Sequence, residues 1–129
     1  MTKDAPVTAP KALVIEDDPA LYLIFSKALQ SAGFETNLAV EGQQALTQLE
    51  ADPPDMILLD LHLPKVSGQA ILRHVRATQH LANIPVMITT ADALMAEQLR
   101  FEADMVLLKP ICFNYLRDMA LRFKDLPRT

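Results

Sequence analysis

Glu16, Asp17, Asp60, Thr89, Thr90 and Lys109 each follow a short apolar run, and together these side chains make a set suited to phosphoryl chemistry. Run 12–15 leads into Glu16 and Asp17, run 56–59 into Asp60, run 86–88 into the two threonines, and run 105–108 into Lys109. Gathered in one crevice, three carboxylates and one ammonium leave a local charge of −2, and the carboxylates repel one another unless something compensates. A divalent cation cancels that charge. Hard oxygen donors suit Mg2+ or Mn2+ better than zinc, which favours nitrogen and sulfur. Mg2+ typically takes one or two carboxylates along with waters and phosphate oxygens. Metal, lysine and hydroxyl would then clamp a transferring phosphoryl group, and an aspartate can accept it covalently.

Something must bring residues as distant as 16 and 109 together. Continuous apolar runs of three or four residues suit strands buried on both faces, as in a parallel sheet. A fifth segment, 34–40, alternates imperfectly and reads as an edge strand. Between the strands the period becomes helical. Leu21, Ile24, Phe25, Ala28, Leu29 and Ala32 fall on one face, with Asp18 as N-cap, Pro19 as first helical residue and Gly33 as C-cap. Further helices are expected near 42–51, 68–78 (capped by Ser67), 93–101 and 112–123, the last with Tyr115, Leu116, Met119, Ala120 and Phe123 on one face. Five strands alternating with five helices predict an α/β fold with a mostly parallel sheet. In such sheets ligands bind outside the carboxyl ends of the strands, which is where the polar residues fall.

Composition bounds the rest. A chain of 129 residues is one domain's worth. Its net charge of −4 argues against a dedicated nucleic-acid-binding domain. A lone cysteine, Cys112, excludes an internal disulfide and fits a reducing cytoplasm; it reads as a small buried hydrophobe at the start of the last helix. No apolar stretch is long enough for a membrane helix, so a cytoplasmic location is expected. Residues 1–10 read as a flexible leader, 11–124 as the domain, and 125–129 as a tail or the start of a linker. Arg117, Arg122, Lys124 and Arg128 read as a solvated basic face.

The chain resembles the receiver domains of two-component response regulators over about residues 11–124. Four motifs carry the resemblance: Val14-Ile15-Glu16-Asp17-Asp18, Asp60-Leu61-His62-Leu63-Pro64-Lys65-Val66-Ser67-Gly68, Pro85-Val86-Met87-Ile88-Thr89-Thr90-Ala91, and Lys109-Pro110. Each is weak alone, but four in order at strand ends are specific. The resemblance implies a flavodoxin-like (βα)5 doubly wound parallel sheet with strand order 2-1-3-4-5. It makes Asp60 the phosphoacceptor. It gives Mg2+ to Glu16, Asp17, Asp60 and the backbone carbonyl of His62. Thr90 and Lys109 bind the phosphoryl group, the small Ala91 leaves room for it, and the Lys109–Pro110 bond is cis. The side chains of His62 and Asp92 become rim residues that influence the lifetime of the phosphorylated form.

Blander readings stand beside these. Asp18 is a helix cap rather than a ligand, Thr89 a strand residue, His62 a loop histidine, and Asp92 the cap of the fourth helix, a role compatible with the rim. Two features depart from the family pattern. The aromatic commonly found three residues before the lysine is Val106, too small for the inward swing that reports phosphorylation. The Gly-containing turn before the last strand is replaced by Phe101-Glu102-Ala103-Asp104. The resemblance implies a phosphorelay switch, not an enzyme with external turnover. Its partners are a sensor histidine kinase or phosphotransfer protein and a downstream protein, without DNA or membrane contact by this chain. The alternatives are an aspartate-nucleophile phosphatase or a phosphorylation-independent pseudo-receiver. The first lacks the second aspartate of an Asp-x-Asp motif, since Asp60-Leu61-His62 stands there. The second would have lost an acceptor, lysine or acidic pair, and all are present.

Overall fold

Each expected strand forms, because apolar side chains on both faces of a run can be buried only between two layers of helices. The computed structural model describes residues 9–124, so most of the expected leader, the 125–129 tail and Arg128 lie outside the described residues. Five strands, β1 (Lys11–Ile15), β2 (Glu35–Ala39), β3 (Met56–Asp60), β4 (Val86–Thr90) and β5 (Met105–Leu108), alternate with five helices. These are α1 (Pro19–Ser31), α2 (Gly42–Ala51), α3 (Gly68–Ala77), α4 (Ala93–Leu99) and α5 (Phe113–Lys124). The strands are all parallel, in the order β2-β1-β3-β4-β5.

The period-two alternation divides the core between the faces. Leu13, Ile15, Ile57, Leu59, Val86 and Ile88 pack with Leu49 of α2, Ile71, Leu72 and Val75 of α3, and Leu99 of α4. Ala12, Val14, Met56, Leu58 and Met87 face the other way, onto Phe25, Ala28 and Leu29 of α1 and Leu116, Ala120 and Phe123 of α5. Central strand β3 is buried at all five positions, whereas β2 alternates between exposed and covered, as an edge strand with one wet face does.

The caps form largely as expected. Asp18 Oδ1 accepts from Ala20 and Leu21 N–H at the start of α1, Ser67 Oγ from Ala70 N–H at α3, and Asp92 Oδ1 from Leu94 and Met95 N–H at α4. The C-cap of α1 is Ala32, one residue earlier than expected. Gly33 follows it with φ +100, a conformation that favours glycine. Pro10, assigned to the leader, already accepts a hydrogen bond from Glu35 N at 2.8 Å.

Three burial expectations need correction. Ile24 is 43% exposed, and Ser26 is buried instead, bonded to Thr36 Oγ1 at 2.8 Å. Tyr115 is 50% exposed beside buried Leu116. In both helices the apolar arc is wider than the contact, so residues at its margin meet solvent. Cys112 is exposed rather than buried, because it precedes α5, whose burial begins only at Leu116.

Candidate functional site

Hydrogen bonding between strands continues one residue beyond several strand ends, and this fixes the backbone of the chemistry-bearing residues. Glu16 N donates to Ala39 O at 3.0 Å, Leu61 N to Thr89 O at 3.2 Å, and Lys109 N to Thr90 O at 2.7 Å. Asp60 lies opposite Thr89, and Thr90 opposite Leu108, in the sheet register. The carboxyl ends of β1, β3, β4 and β5 therefore form one crevice.

In it, one carboxylate oxygen from each of Glu16, Asp17 and Asp60 lies within 4.8 Å of the others, with Glu16 and Asp60 buried and Asp17 exposed. Lys109 Nζ reaches Glu16 Oε1 and Asp60 Oδ1, each at 3.4 Å. The Lys109–Pro110 bond is cis. Asp60 Oδ1 also accepts from His62 N at 3.2 Å, so the β3–α3 loop begins by folding back on the carboxylate. Thr90 is fully buried; its Oγ1 accepts from Asp92 N at 3.0 Å and lies 3.4 Å from His62 Nε2. His62 is exposed, with its ring beside Thr90 at the mouth of the crevice, and Ala91 is exposed next to it. Thr89 is also buried, in register with Asp60. Val106 is half-buried and packs against the core on the α2–α3–α4 side.

The electrostatics of this set leave it short of positive charge. Desolvation raises the Glu16 pKa to about 7, and the Asp60 charge adds to the rise. The Asp18 N–H, which donates to Glu16 Oε2 at 3.2 Å, and the Lys109 ammonium oppose it without cancelling it. A single lysine does not neutralise three convergent carboxylates. Hard oxygens, partly buried and still open to solvent through Asp17, fit a hydrated divalent ion such as Mg2+.

Two glycines hold the site's loops, and spacing alone did not reveal their role. A Cβ on Gly68 would collide with the Asp60 carbonyl oxygen, so α3 can start against the end of β3 only with glycine there. A Cβ on Gly42 would lie 2.4 Å from Val66 O, and Glu41 beside it pairs with Lys65 at 3.0 Å. The start of α2 thus abuts the β3–α3 loop. A glycine as the first helical residue, where its backbone freedom brings no benefit, is the available sequence signal for such a close approach.

Comparison with known proteins agrees with this geometry. Residues 12–121 match the family "Response regulator receiver domain". The DNA-binding dual master transcriptional regulator RpaA of Synechocystis is 38% identical over 107 residues, covering 78% of this chain and 43% of the relative. The transcriptional regulatory protein PrrA of Mycobacterium bovis is 31% identical over 128 residues, 97% of this chain and 53% of the relative. The chain thus spans about half the length of these relatives. Among solved structures, the receiver domain of a sensor histidine kinase from Pseudomonas aeruginosa has magnesium coordinated in its active site cleft. It is 28% identical with a TM-score of 0.81, covering 91% of this chain and 98% of that one. Chemotaxis response regulator CheY4 of Vibrio cholerae shares the fold with a TM-score of 0.82 at 24% identity, covering 90% of this chain and 99% of that one.

Proposed function

Since the chain belongs to the response regulator receiver family of two-component phosphorelays, we propose that Asp60 is its phosphoacceptor and that residues 11–124 are the working unit. The observation that carries this reading is the convergence of Glu16, Asp17, Asp60 and Lys109 at the carboxyl ends of three strands. Asp60 Oδ1 is held by His62 N and Lys109 Nζ, which leaves Oδ2 as the attacking oxygen. Oδ2 forms a bond to phosphorus as the bond from phosphorus to the donor's nitrogen breaks, and that nitrogen leaves with the electron pair. Glu16, Asp17, Asp60 and the His62 carbonyl would hold Mg2+ or Mn2+. When bound, the ion neutralises the carboxylates and phosphoryl oxygens so that an anionic donor can approach. Lys109 then exchanges its carboxylate contacts for a phosphoryl oxygen. Thr90 Oγ1 offers its hydroxyl, and Ala91 leaves the space open.

The donor is a phosphohistidine of a sensor kinase or phosphotransfer protein. The product is an altered surface for a downstream protein, without external turnover, in the cytoplasm. Among the described residues no helix is long and apolar enough to cross a membrane. This chain makes no direct DNA contact, in keeping with its charge of −4; the DNA-binding regulator RpaA is about twice as long. In a transfer assay, a labelled phosphohistidine domain should pass its phosphoryl group to this chain in Mg2+. Retention of all label on the donor with each of several kinases, together with inertness to small phosphodonors, would favour the pseudo-receiver alternative.

His62 and Asp92 set the lifetime of the product. Hydrolysis needs a water in line with the Asp60–phosphorus bond, and the His62 ring lies close by, 3.4 Å from Thr90 Oγ1. A ring at that position can obstruct or orient the water, so the dephosphorylation rate should change in His62→Ala. Decay of purified phosphoprotein measures this; superimposable parent and variant decays would reduce His62 to its backbone carbonyl.

A further inference from the structure

Away from the acidic pocket, Glu50 near the end of α2, His74 in the last turn of α3 and His80 in the α3–β4 turn converge. His74 Nε2 lies 3.4 Å from Glu50 Oε1, and His80 Nε2 lies 3.2 Å from Glu50 Oε2. Both rings thus turn the same nitrogen toward one carboxylate, each to its own oxygen. As exposed ion pairs these contacts contribute little to stability. As a donor set, two imidazole nitrogens and a carboxylate are what zinc and its borderline neighbours take, with water in the fourth position.

We propose that Glu50, His74 and His80 form a binding site for a divalent transition cation of the Zn2+ class, distinct from the oxygen-only Mg2+ pocket.

The anchoring backbone is rigid where it needs to be. Each ligand adjoins a buried core residue in sequence: Leu49 at 0% exposure, Val75 at 1% and Leu81 at 0%. Arg76 fastens the turn that carries His80, donating to Ala82 O at 3.1 Å and Ile84 O at 2.9 Å while pairing with Asp104 at 2.8 Å. The ligating side chains themselves are 38%, 51% and 54% exposed, so they can turn to replace the nitrogen–oxygen contacts with metal–ligand bonds of ~2.0–2.2 Å. The ion would tie α2 to α3 and the following turn, and the folded chain would gain stability with ion concentration.

The test is calorimetric titration of Zn2+ into the full chain in excess Mg2+, in a Cys112→Ser background that removes the exposed thiol as a competing ligand. One equivalent should bind saturably, raise the melting temperature and shift the ring nitrogens of His74 and His80 in NMR spectra, leaving those of His62 in place. Losing a direct ligand should cost at least as much affinity as losing an outer-shell partner, ~10–100-fold. His74→Ala and His80→Ala should each show that loss while remaining folded, since both side chains are exposed. Zn2+ affinity unchanged in both variants, or ring nitrogens of His74 and His80 that do not respond, would overturn the assignment.

Discussion

Asp60→Asn should reduce phosphoryl labelling to background while leaving the chain folded. Asparagine has nearly the volume of aspartate, and its carboxamide oxygen can still accept from His62 N, the contact that the β3–α3 loop makes at 3.2 Å. The carboxamide is a poor nucleophile, however, and cannot form an acyl phosphate without losing its nitrogen. The metal-free variant should also be at least as stable as the parent, because a carboxylate that is 3% exposed and close to Glu16 has been neutralised. The label lost should be the acid-stable, base-labile kind expected of an acyl phosphate. Equal labelling of the variant would move the acceptor elsewhere.

The second large effect belongs to Glu16→Gln/Asp17→Asn, which removes two negative charges at little change in volume. Mg2+ affinity should collapse, and the pH dependence of stability should change with it. Burial raises the folded-state pKa of Glu16 from 4.5 to about 7, so the folded metal-free parent holds a proton that the unfolded chain releases. Glu16 therefore contributes stability below pH ~4.5 that is lost as pH rises through about 7, worth on the order of 3 kcal/mol in full. Metal-free parent should weaken in urea titrations between pH 5 and 8, and the variant should lack that part of the slope and exceed the parent at the upper end. Mg2+ should stabilise the parent most at the upper end, where Glu16 is ionised, and leave the variant unaffected. Equal Mg2+ affinity in parent and variant would mean the acidic pocket is not the metal site.

The strand ends were legible because apolar runs stop abruptly at charged or hydroxyl residues, and a parallel sheet collects those ends on one edge. That logic locates Glu16, Asp17, Asp60, Thr90 and Lys109, and the structure brings Glu16, Asp17, Asp60 and Lys109 into direct proximity. Caps were legible for the same local reason, as Asp18, Ser67 and Asp92 show. Depth was not. Periodicity puts Ile24 and Tyr115 on an apolar face without saying how far the neighbouring layer extends, and both reach solvent. Cys112 misled because its burial depended on where α5 begins. Gly42 against Val66, and Glu50 between His74 and His80, are tertiary approaches between elements with no common periodic signal.

Intact mass of the parent after incubation with a small phosphodonor, in Mg2+ and in excess chelator, tests the phosphoacceptor reading most directly. One phosphoryl adduct in Mg2+, mapped to Asp60 and missing in chelator, is the result expected from a pocket with three carboxylates and one lysine. Full labelling in chelator, or an adduct mapped to any other residue, would contradict it.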